Sequence, residues 1–378
     1  MKFSDIKSTT PYLELENIFF DKVKATPLKK PFFIAASNDA AKLLGVDENL
    51  YDDEKLVSII NSQTALEGSD SFAMCYAGHQ FGYFVPRLGD GRAINFGKVN
   101  GYNLQVKGAG QTLYSRQGDG RAVLRSSIRE FLMSESMHGL GIETSRALAI
   151  IGSDEDVARE RWEKGAVVLR LSPTWVRFGT FEYFYHSKQH DKLERLADYV
   201  IEEPFAHLKN QENAYLLMYK EIVEKTAKLM AKWQSVGFNH GVMNTDNMSI
   251  GGFTIDYGPF ALSPILNQEK MQEVLKGFSS VFEETYLNIM YKKLGFESKK
   301  EGDVKLVQWL LAALGSSKVD YTNFFRILCH YDANREELLA LANLKTPLQE
   351  WLEAYDERLK EEKPAPNKFI NIKLSCSS

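Results

Sequence analysis

One stretch of the sequence restricts the possible folds more than any other. Residues 244–250 contain an amide, Asn247, and a carboxylate, Asp246, and a second carboxylate, Asp256, follows after a short apolar segment with a glycine turn. The apolar residues on both sides of that turn predict a hairpin. Amide and carboxylate oxygens are hard ligands that suit Mg²⁺, which usually completes its octahedron with phosphate oxygens. The stretch therefore predicts a metal ion and a nucleotide at this hairpin.

Length, charge and hydropathy exclude several classes of protein. The 378 residues are too many for one small core and predict two lobes or domains. The net charge of −4 does not indicate a nucleic-acid-binding surface. No apolar run has the length of a membrane span, and the N-terminus lacks the apolar core of a signal peptide. We therefore expect a cytoplasmic protein that binds neither nucleic acid nor a membrane.

Strand patterns dominate the first half of the chain. Residues 93–99 and 102–107 alternate in hydropathy around an Asn-Gly pair, which is a strong signal for a two-residue hairpin turn. A helix should follow, with a capping-box pattern at residues 127–130 and an apolar face made of Leu124, Ile128, Phe131 and Leu132.

Helix patterns dominate the second half. The expected helices span 212–236, 271–294, 303–314 and 338–360. The sequence therefore predicts an α+β protein with a strand-rich lobe over 1–165, a mostly helical lobe over 166–362, and a linker and C-terminal tail over 363–378.

Three further features fit a phosphate site, although each is weak alone. The glycines of Gly89-Asp90-Gly91-Arg92 would let backbone N–H groups approach phosphate oxygens, and the arginine adds a bidentate donor. Turns of this kind before strands are common, so the motif by itself favours an ordinary turn. In kinase-like folds a lysine on a strand reaches phosphate and pairs with a helix glutamate, and Lys107 and Glu130 are placed for these roles.

Two arginines, Arg170 and Arg177, lie seven residues apart around a proline. Arginines at this spacing can clamp a phosphate, because the guanidinium group presents a fixed fork of donors. They can equally be solvated or pair with a local glutamate, and the spacing does not separate these alternatives.

A departure from the usual phosphotransferase pattern lies just before the metal-binding hairpin. Small-molecule phosphotransferases place an aspartate five residues before the metal-binding asparagine, where it accepts the substrate proton. In this chain that position is Val242. The pattern thus indicates either a nucleotide-binding protein without catalysis or a different phosphorus chemistry.

At these residues the chain closely resembles the selenoprotein O family, a kinase-like family of protein adenylyltransferases. The resemblance is carried by residues 88–93, 106–110, 114–132 and 244–260, with the terminal Ser375-Cys376-Ser377-Ser378. It is dense over roughly residues 70–260 of the sequence and thins afterwards.

The resemblance implies a two-lobed protein-kinase-like fold in which ATP is flipped relative to kinases. The α-phosphate then faces the acceptor, AMP passes to a Ser, Thr or Tyr hydroxyl of a protein, and pyrophosphate leaves. A flipped nucleotide does not need a base at position 242.

The resemblance also implies roles for single residues. Asp246 is the proton acceptor, Asn247 and Asp256 bind Mg²⁺ or Mn²⁺, and Glu130 forms an ion pair with Lys107. The nucleotide-binding residues carried over in this way are Gly89, Gly91, Arg92, Lys107, Asp119, Gly120, Arg170, Arg177 and Asp256.

Two alternatives to protein adenylylation stay open on the sequence. One is a phosphotransferase that uses the γ-phosphate with Asp246 as its base, and the other is a non-catalytic nucleotide-binding scaffold. The chain is shorter than typical members after Phe260, near where protein acceptors usually dock. The family's redox switch pairs a cysteine of that segment with the C-terminal one; here Cys376 is present, but no cysteine lies between 76 and 328.

Overall fold

The structure is a computed structural model that describes residues 1–80, 82–258, 260–262 and 276–362. The C-terminal tail with Cys376, and most of the segment that follows Phe260, lie outside these residues. Within them the protein is a mixed α/β protein with one large antiparallel sheet and eleven helices. No described helix combines the length and the low charge that a membrane-spanning helix needs.

The strands are short except at the centre of the large sheet. They are β1 Phe20–Lys22, β2 Pro31–Ala36, β3 Phe72–Met74, β4 Gly78–Gln80, β5 Tyr83–Val85, β6 Ala93–Val99, β7 Tyr102–Lys107, β8 Ala122–Val123, β9 Arg146–Ala158, β10 Trp162–Ser172, β11 Phe238–Asn239, β12 Met248–Ser249, β13 Phe253–Thr254 and β14 Ala261–Leu262. The large sheet has the order β1-β3-β6-β7-β10-β9-β2, with β8 pairing with β10. The strand pairs β4–β5, β11–β14 and β12–β13 stand apart from it.

Most of the long helices lie in the second half of the chain. The helices are α1 Asn38–Lys42, α2 Leu56–Ile60, α3 Leu124–Gly139, α4 Phe178–His186, α5 His190–Glu202, α6 Ala214–Ser235, α7 Lys276–Lys293, α8 Asp303–Ser316, α9 Tyr321–Leu328, α10 Tyr331–Ala340 and α11 Lys345–Lys360. The predicted strands 93–99 and 102–107 are confirmed as β6 and β7. The single helix predicted over 338–360 is wrong, because the chain breaks between α10 and α11.

Packing groups the chain into two compact units. One consists of Met1–Ile222 with Val242–Gly258, and the other of Val223–Gly241 with Pro259–Ser378. The sequence predicted two kinase-like lobes over 1–165 and 166–362, and this division stays a prediction.

The two faces of the large sheet have different chemistry, and this difference positions the site. Successive residues of a strand point to opposite faces. On β7, Leu104 and Val106 join a buried apolar core, whereas Gln105 and Lys107 point to the other face. On β10, Leu169 joins the same core. The second face of the sheet is therefore a buried surface that carries polar side chains.

Helix α3 covers the sheet with a face that matches the predicted one only in part. The helix begins at Leu124 without a side-chain cap, so the predicted capping box at 127–130 is wrong. Of the predicted face, Leu124 and Phe131 pack against an apolar core, whereas Ile128 and Leu132 are exposed. The fully buried residues of the helix are Ser127, Glu130, Ser134 and Met137. The charged surface of the sheet selects the face with Glu130, because a buried cation needs a nearby carboxylate. That requirement outweighs the burial of two apolar side chains.

The second unit has its own core, built from α7 to α11. Trp351, Tyr355 and Phe324 are fully buried at its centre. The Trp351 indole N–H donates to the carbonyl oxygen of Leu306 at 2.9 Å, so its one polar group is satisfied.

The apolar core beneath the sheet can be tested with a pair of leucines. Leu169→Ala deletes a fully buried side chain from β10 and should lower the free energy of unfolding by about 2–5 kcal/mol. Leu132→Ala, on the solvent side of α3, is the matched control and should change it by no more than about 0.5 kcal/mol. Urea unfolding followed by circular dichroism measures both. Equal losses would contradict the burial of Leu169 in the core and the exposure of Leu132.

Candidate functional site

A cleft of about 700 Å³ lies within the first unit. Most of the predicted site residues line it, namely Gly89, Gly91, Arg92, Asp119, Gly120, Asp246, Asn247 and Asp256. Pockets for nucleotide-sized ligands typically occupy about 300–1,000 Å³. Val242, which stands where a phosphotransferase base would be, also faces this cleft.

The hairpin β12–β13 brings Asn247 and Asp256 to the cleft. Ile250, Phe253 and Ile255 are buried in an apolar core, so the hairpin is anchored by its apolar residues. The carbonyl oxygen of Asn247 accepts from the Ile255 N–H at 3.1 Å, which closes the base of the hairpin. Burial of the apolar positions leaves the polar residues at its base beside the cleft.

Lys107 lies between two carboxylates. Its Nζ atom donates to Glu130 Oε2 and to Asp256 Oδ1, both at 2.6 Å. Burial alone would raise the pKa of Asp256, but the charge and hydrogen bond of Lys107, with Arg92 and Arg170 nearby, lower that pKa well below its usual value. Asp256 is therefore an anion at neutral pH, as a cation ligand must be.

A row of buried polar side chains continues from this ion pair across the sheet. Arg170 donates to Glu130 Oε1 and to the carbonyl oxygen of Ile255, both at 2.8 Å, and also to Gln105. Gln105 Nε2 donates to Asn95 Oδ1 at 3.1 Å. Gln105 lies directly opposite Asn95 on β6 and Arg170 on β10, so the three side chains form one cross-strand row.

The row ends at the backbone of Asp246. Asn95 Nδ2 donates to Asp90 Oδ2 at 3.0 Å, and Asp90 Oδ1 accepts from Arg177 Nη2 at 2.8 Å. Arg177 Nη1 donates to the Asp246 carbonyl oxygen at 2.5 Å, and its guanidinium group lies 4.1 Å from the ring centre of Tyr76. One continuous chain of buried hydrogen bonds thus connects Asp256 with Asp246.

Lys107, Glu130, Arg170 and Arg177 are not among the residues that line the cleft. They are buried behind it, with no more than 8 % of each residue exposed. Arg170 and Arg177 hold Glu130 and Asp90, and their direct contact with phosphate stays a prediction. Spacing in the sequence could not show these partners, because Asp90 and Glu130 lie on other elements.

The glycine turn packs against the loop that follows β7. Gly89 has a φ of +68°, and a Cβ atom there would lie 2.1 Å from Cγ of Tyr114. Thr112 Oγ1 donates to the Asp90 carbonyl oxygen at 2.8 Å. The glycine therefore serves close packing of the two loops, and both loops line the cleft.

Asp119 is held by an arginine that the sequence did not single out. Arg159 donates to both carboxylate oxygens of Asp119, at 2.7 and 3.0 Å. These hydrogen bonds lower the pKa of Asp119, so its carboxylate stays ionised at the cleft. Asp119 and Arg159 are forty residues apart in the chain, so their bidentate pair leaves no local sequence signal.

The donor set fits a magnesium-type ion. The Asn247 side-chain N–H donates to the carbonyl oxygen of Val242 at 3.1 Å, so the amide presents its oxygen as the ligand atom. Among the described residues no group of three or more His, Cys, Asp or Glu side chains could enclose a metal ion. One amide oxygen and the Asp256 carboxylate suit Mg²⁺ or Mn²⁺, which keep water and phosphate ligands, better than ions that need a complete protein cage.

Comparison with known proteins gives a consistent result over almost the whole chain. The family model described as Protein adenylyltransferase SelO matches residues 2–264 and 261–375. A protein nucleotidyltransferase YdiU of Pseudomonas fluorescens is 40% identical over 398 residues, which cover 92% of this chain and 81% of that protein. Its counterpart in Thioalkalivibrio sulfidiphilus is 38% identical over 413 residues, with coverage of 96% and 84%.

The buried ion pair predicts a large effect on stability. Glu130→Gln removes the carboxylate that Lys107 and Arg170 share, and should lower the free energy of unfolding by about 3–5 kcal/mol because buried cations lose their partner. Arg125→Gln on the same helix breaks an exposed pair with Glu163 and should change little. Urea unfolding of both variants is the measurement, and similar stabilities would contradict this reading of the pair.

Proposed function

The chain belongs to the SelO family of protein adenylyltransferases, and we propose that it transfers AMP from ATP to Ser, Thr or Tyr hydroxyl groups of proteins. As a family member it is an enzyme, a protein nucleotidyltransferase, with a nucleotide and proteins as substrates. The observation that carries the finer proposal is Asp246 at a cleft where Val242 occupies the usual base position.

In the proposed reaction the acceptor hydroxyl oxygen attacks the α-phosphorus. A new P–O bond forms to the acceptor, the bond between the α-phosphorus and the bridging oxygen to the β-phosphate breaks, and pyrophosphate leaves. The hydroxyl proton passes to the Asp246 carboxylate. This geometry requires the α-phosphate beside Asp246, and therefore a nucleotide flipped relative to that of a protein kinase.

The proposed architecture is that of a two-lobed protein kinase. Its support is an antiparallel sheet with Lys107 at the end of one strand, followed by a helix whose Glu130 pairs with that lysine. The metal-binding hairpin comes later in the chain, as it does in kinases.

The proposed nucleotide-binding residues fall into two groups. Some line the cleft, and the arginines Arg170 and Arg177 are buried behind it. Arg92 lines the cleft and acts electrostatically on Asp256, so it is placed to neutralise phosphate charge. Gly89, Gly91, Asp119 and Gly120 line the same cleft and would surround the nucleotide. Arg170 and Arg177 support the site indirectly in the present arrangement, by holding Glu130, Asp90 and the Asp246 backbone.

Asn247 and Asp256 are the residues that would hold Mg²⁺ or Mn²⁺. When bound, the ion would neutralise charge on the triphosphate and on the leaving pyrophosphate. Lys107 keeps Asp256 ionised and fixes its orientation, so the chain itself prepares the ligand. We place this reaction in the cytoplasm, where ATP and proteins with free hydroxyl groups meet.

Isotope labelling separates the proposed activity from its alternatives. Incubation with α-³²P-labelled ATP should label protein, and incubation with γ-³²P-labelled ATP should not. Asp256→Ala and Lys107→Ala should both abolish transfer; Lys107→Ala should keep its fold, because Glu130 retains Arg170 as a partner.

Transfer of label only from the γ-position would show a phosphotransferase instead. Stabilisation by ATP in a thermal shift measurement, with no label on any protein, would show a non-catalytic scaffold. Wild-type turnover in Lys107→Ala would mean that the nucleotide site lies elsewhere.

The metal requirement gives a separate prediction. Removal of divalent cations with EDTA should abolish labelling from α-³²P-labelled ATP, because the Asp256 carboxylate would then face the triphosphate charge with no cation between them. Adding back Mg²⁺ or Mn²⁺ in excess of the chelator should restore it. Full labelling in the presence of EDTA would contradict the assignment of Asn247 and Asp256 as metal ligands.

A further inference from the structure

A small hairpin outside the large sheet, β4–β5, reaches the proposed proton acceptor. Gln80 at the end of β4 donates from Nε2 to Asp246 Oδ2 at 2.9 Å. The backbone N–H of His79 donates to Oγ1 of Thr245 at 2.8 Å. Two successive residues of the hairpin thus bind two successive residues of the site.

A third contact from the same strand sets the space around the carboxylate. A Cβ atom on Gly78 would lie 2.7 Å from Asp246 Oδ1 and 2.8 Å from Cδ1 of Leu88. Both distances are shorter than a real Cβ contact allows, so a side chain at position 78 would displace the carboxylate or the leucine. Asp246 is buried, with 7 % of the residue exposed. Glycine at position 78 therefore leaves the space that this carboxylate occupies.

The hairpin is itself held in place by a carboxylate of α4. Glu182 Oε2 accepts from Thr245 Oγ1 at 2.5 Å, and Glu182 Oε1 contacts His79 Nδ1 at 2.9 Å. The N–H of Gly179, also on α4, donates to the Thr245 carbonyl oxygen at 3.0 Å. Hairpin, helix and the 245–246 segment are joined into one hydrogen-bonded group.

The Asp246 carboxylate has a single hydrogen-bond donor among the described residues. Gln80 is its one hydrogen-bond donor within the described ranges, and Oδ1 accepts no hydrogen bond from a described residue although it is buried. Arg177 binds the backbone carbonyl of Asp246 and leaves the carboxylate orientation undetermined. A side chain with one donor can rotate unless that donor is retained.

We propose that Gln80 is a positioning residue for AMP transfer, which fixes the Asp246 carboxylate in the orientation that receives the proton of the acceptor hydroxyl. The inference rests on the proposed function, because it assigns Gln80 to the step in which Asp246 acts. Gln80 does not touch the phosphates in this assignment. Its removal should slow the transfer step and leave nucleotide binding unchanged.

The direct test replaces Gln80 with side chains of similar size that cannot donate. Gln80→Met keeps the volume, and should lower kcat for protein labelling about 10- to 100-fold, the range expected when a reacting group is misplaced by about 1 Å. The KM for ATP and the affinity for a non-hydrolysable ATP analogue should stay within about twofold, because a group that acts only in the transition state does not contribute to ground-state binding. Gln80→Glu should lose at least as much, because its carboxylate repels Asp246.

Tyr83→Ala on β5 is the matched control. Its side chain is exposed, and the variant should label protein at the wild-type rate. A structural role for Gln80 would instead lower the thermal midpoint and the nucleotide affinity together with the rate. Wild-type kcat in Gln80→Met and Gln80→Glu would overturn the inference.

Gly78→Ala approaches the same carboxylate from the other side. Its methyl group should push Asp246 Oδ1 away and lower kcat, again with little change in the affinity for the ATP analogue. Unchanged kcat in a folded Gly78→Ala variant would also count against the inference. If wild-type protein carries label from the α-position but the Gln80 variants behave normally, only this inference fails; if no α-label is transferred at all, the proposed function fails first.

Discussion

The buried ion pair between Lys107 and Glu130 is the interaction on which the rest of the site depends. Taking a charge out of water costs several kcal/mol, and that cost is offset only when geometry and partners are complete. Here Lys107 also binds Asp256, and Glu130 also binds Arg170. Two cations and two anions therefore compensate one another in one buried group, and each fixes the orientation of the next.

The group extends by hydrogen bonds to the backbone of Asp246, the proposed proton acceptor. Gln105 and Asn95 carry the connection across the sheet to Asp90, and Arg177 completes it at the backbone of Asp246. Hydrogen bonds and ion pairs in a low-dielectric interior are stronger than in water, so the groups that they join resist rearrangement. The arrangement thus places the proposed metal ligand and the proposed proton acceptor at one cleft without relying on a mobile loop.

Several parts of this arrangement could be predicted because they follow local rules. The alternation in β6 and β7 around an Asn-Gly turn defined that hairpin, and the order of Lys107, Glu130, Asn247 and Asp256 along the chain indicated a nucleotide site. The parts that could not be predicted depend on contacts between distant elements. In the sequence Gln105 is a single polar residue within a strand. Its role appears only in the fold, where it is hydrogen-bonded to Asn95 and Arg170 on the two neighbouring strands. The exposure of Ile128 and Leu132 on α3 was mispredicted for the same reason, because the buried charges of the sheet draw the face with Glu130 inward.

The proposed reaction requires the α-phosphate of the nucleotide to lie beside Asp246. A crystal structure of the protein with Mg²⁺ and an ATP analogue that cannot be cleaved between the α- and β-phosphates tests it most directly. We expect the α-phosphorus nearest to Asp246, with Asn247 and Asp256 on the metal ion. A γ-phosphate beside Asp246, with the adenine at the far end of the cleft, would contradict it.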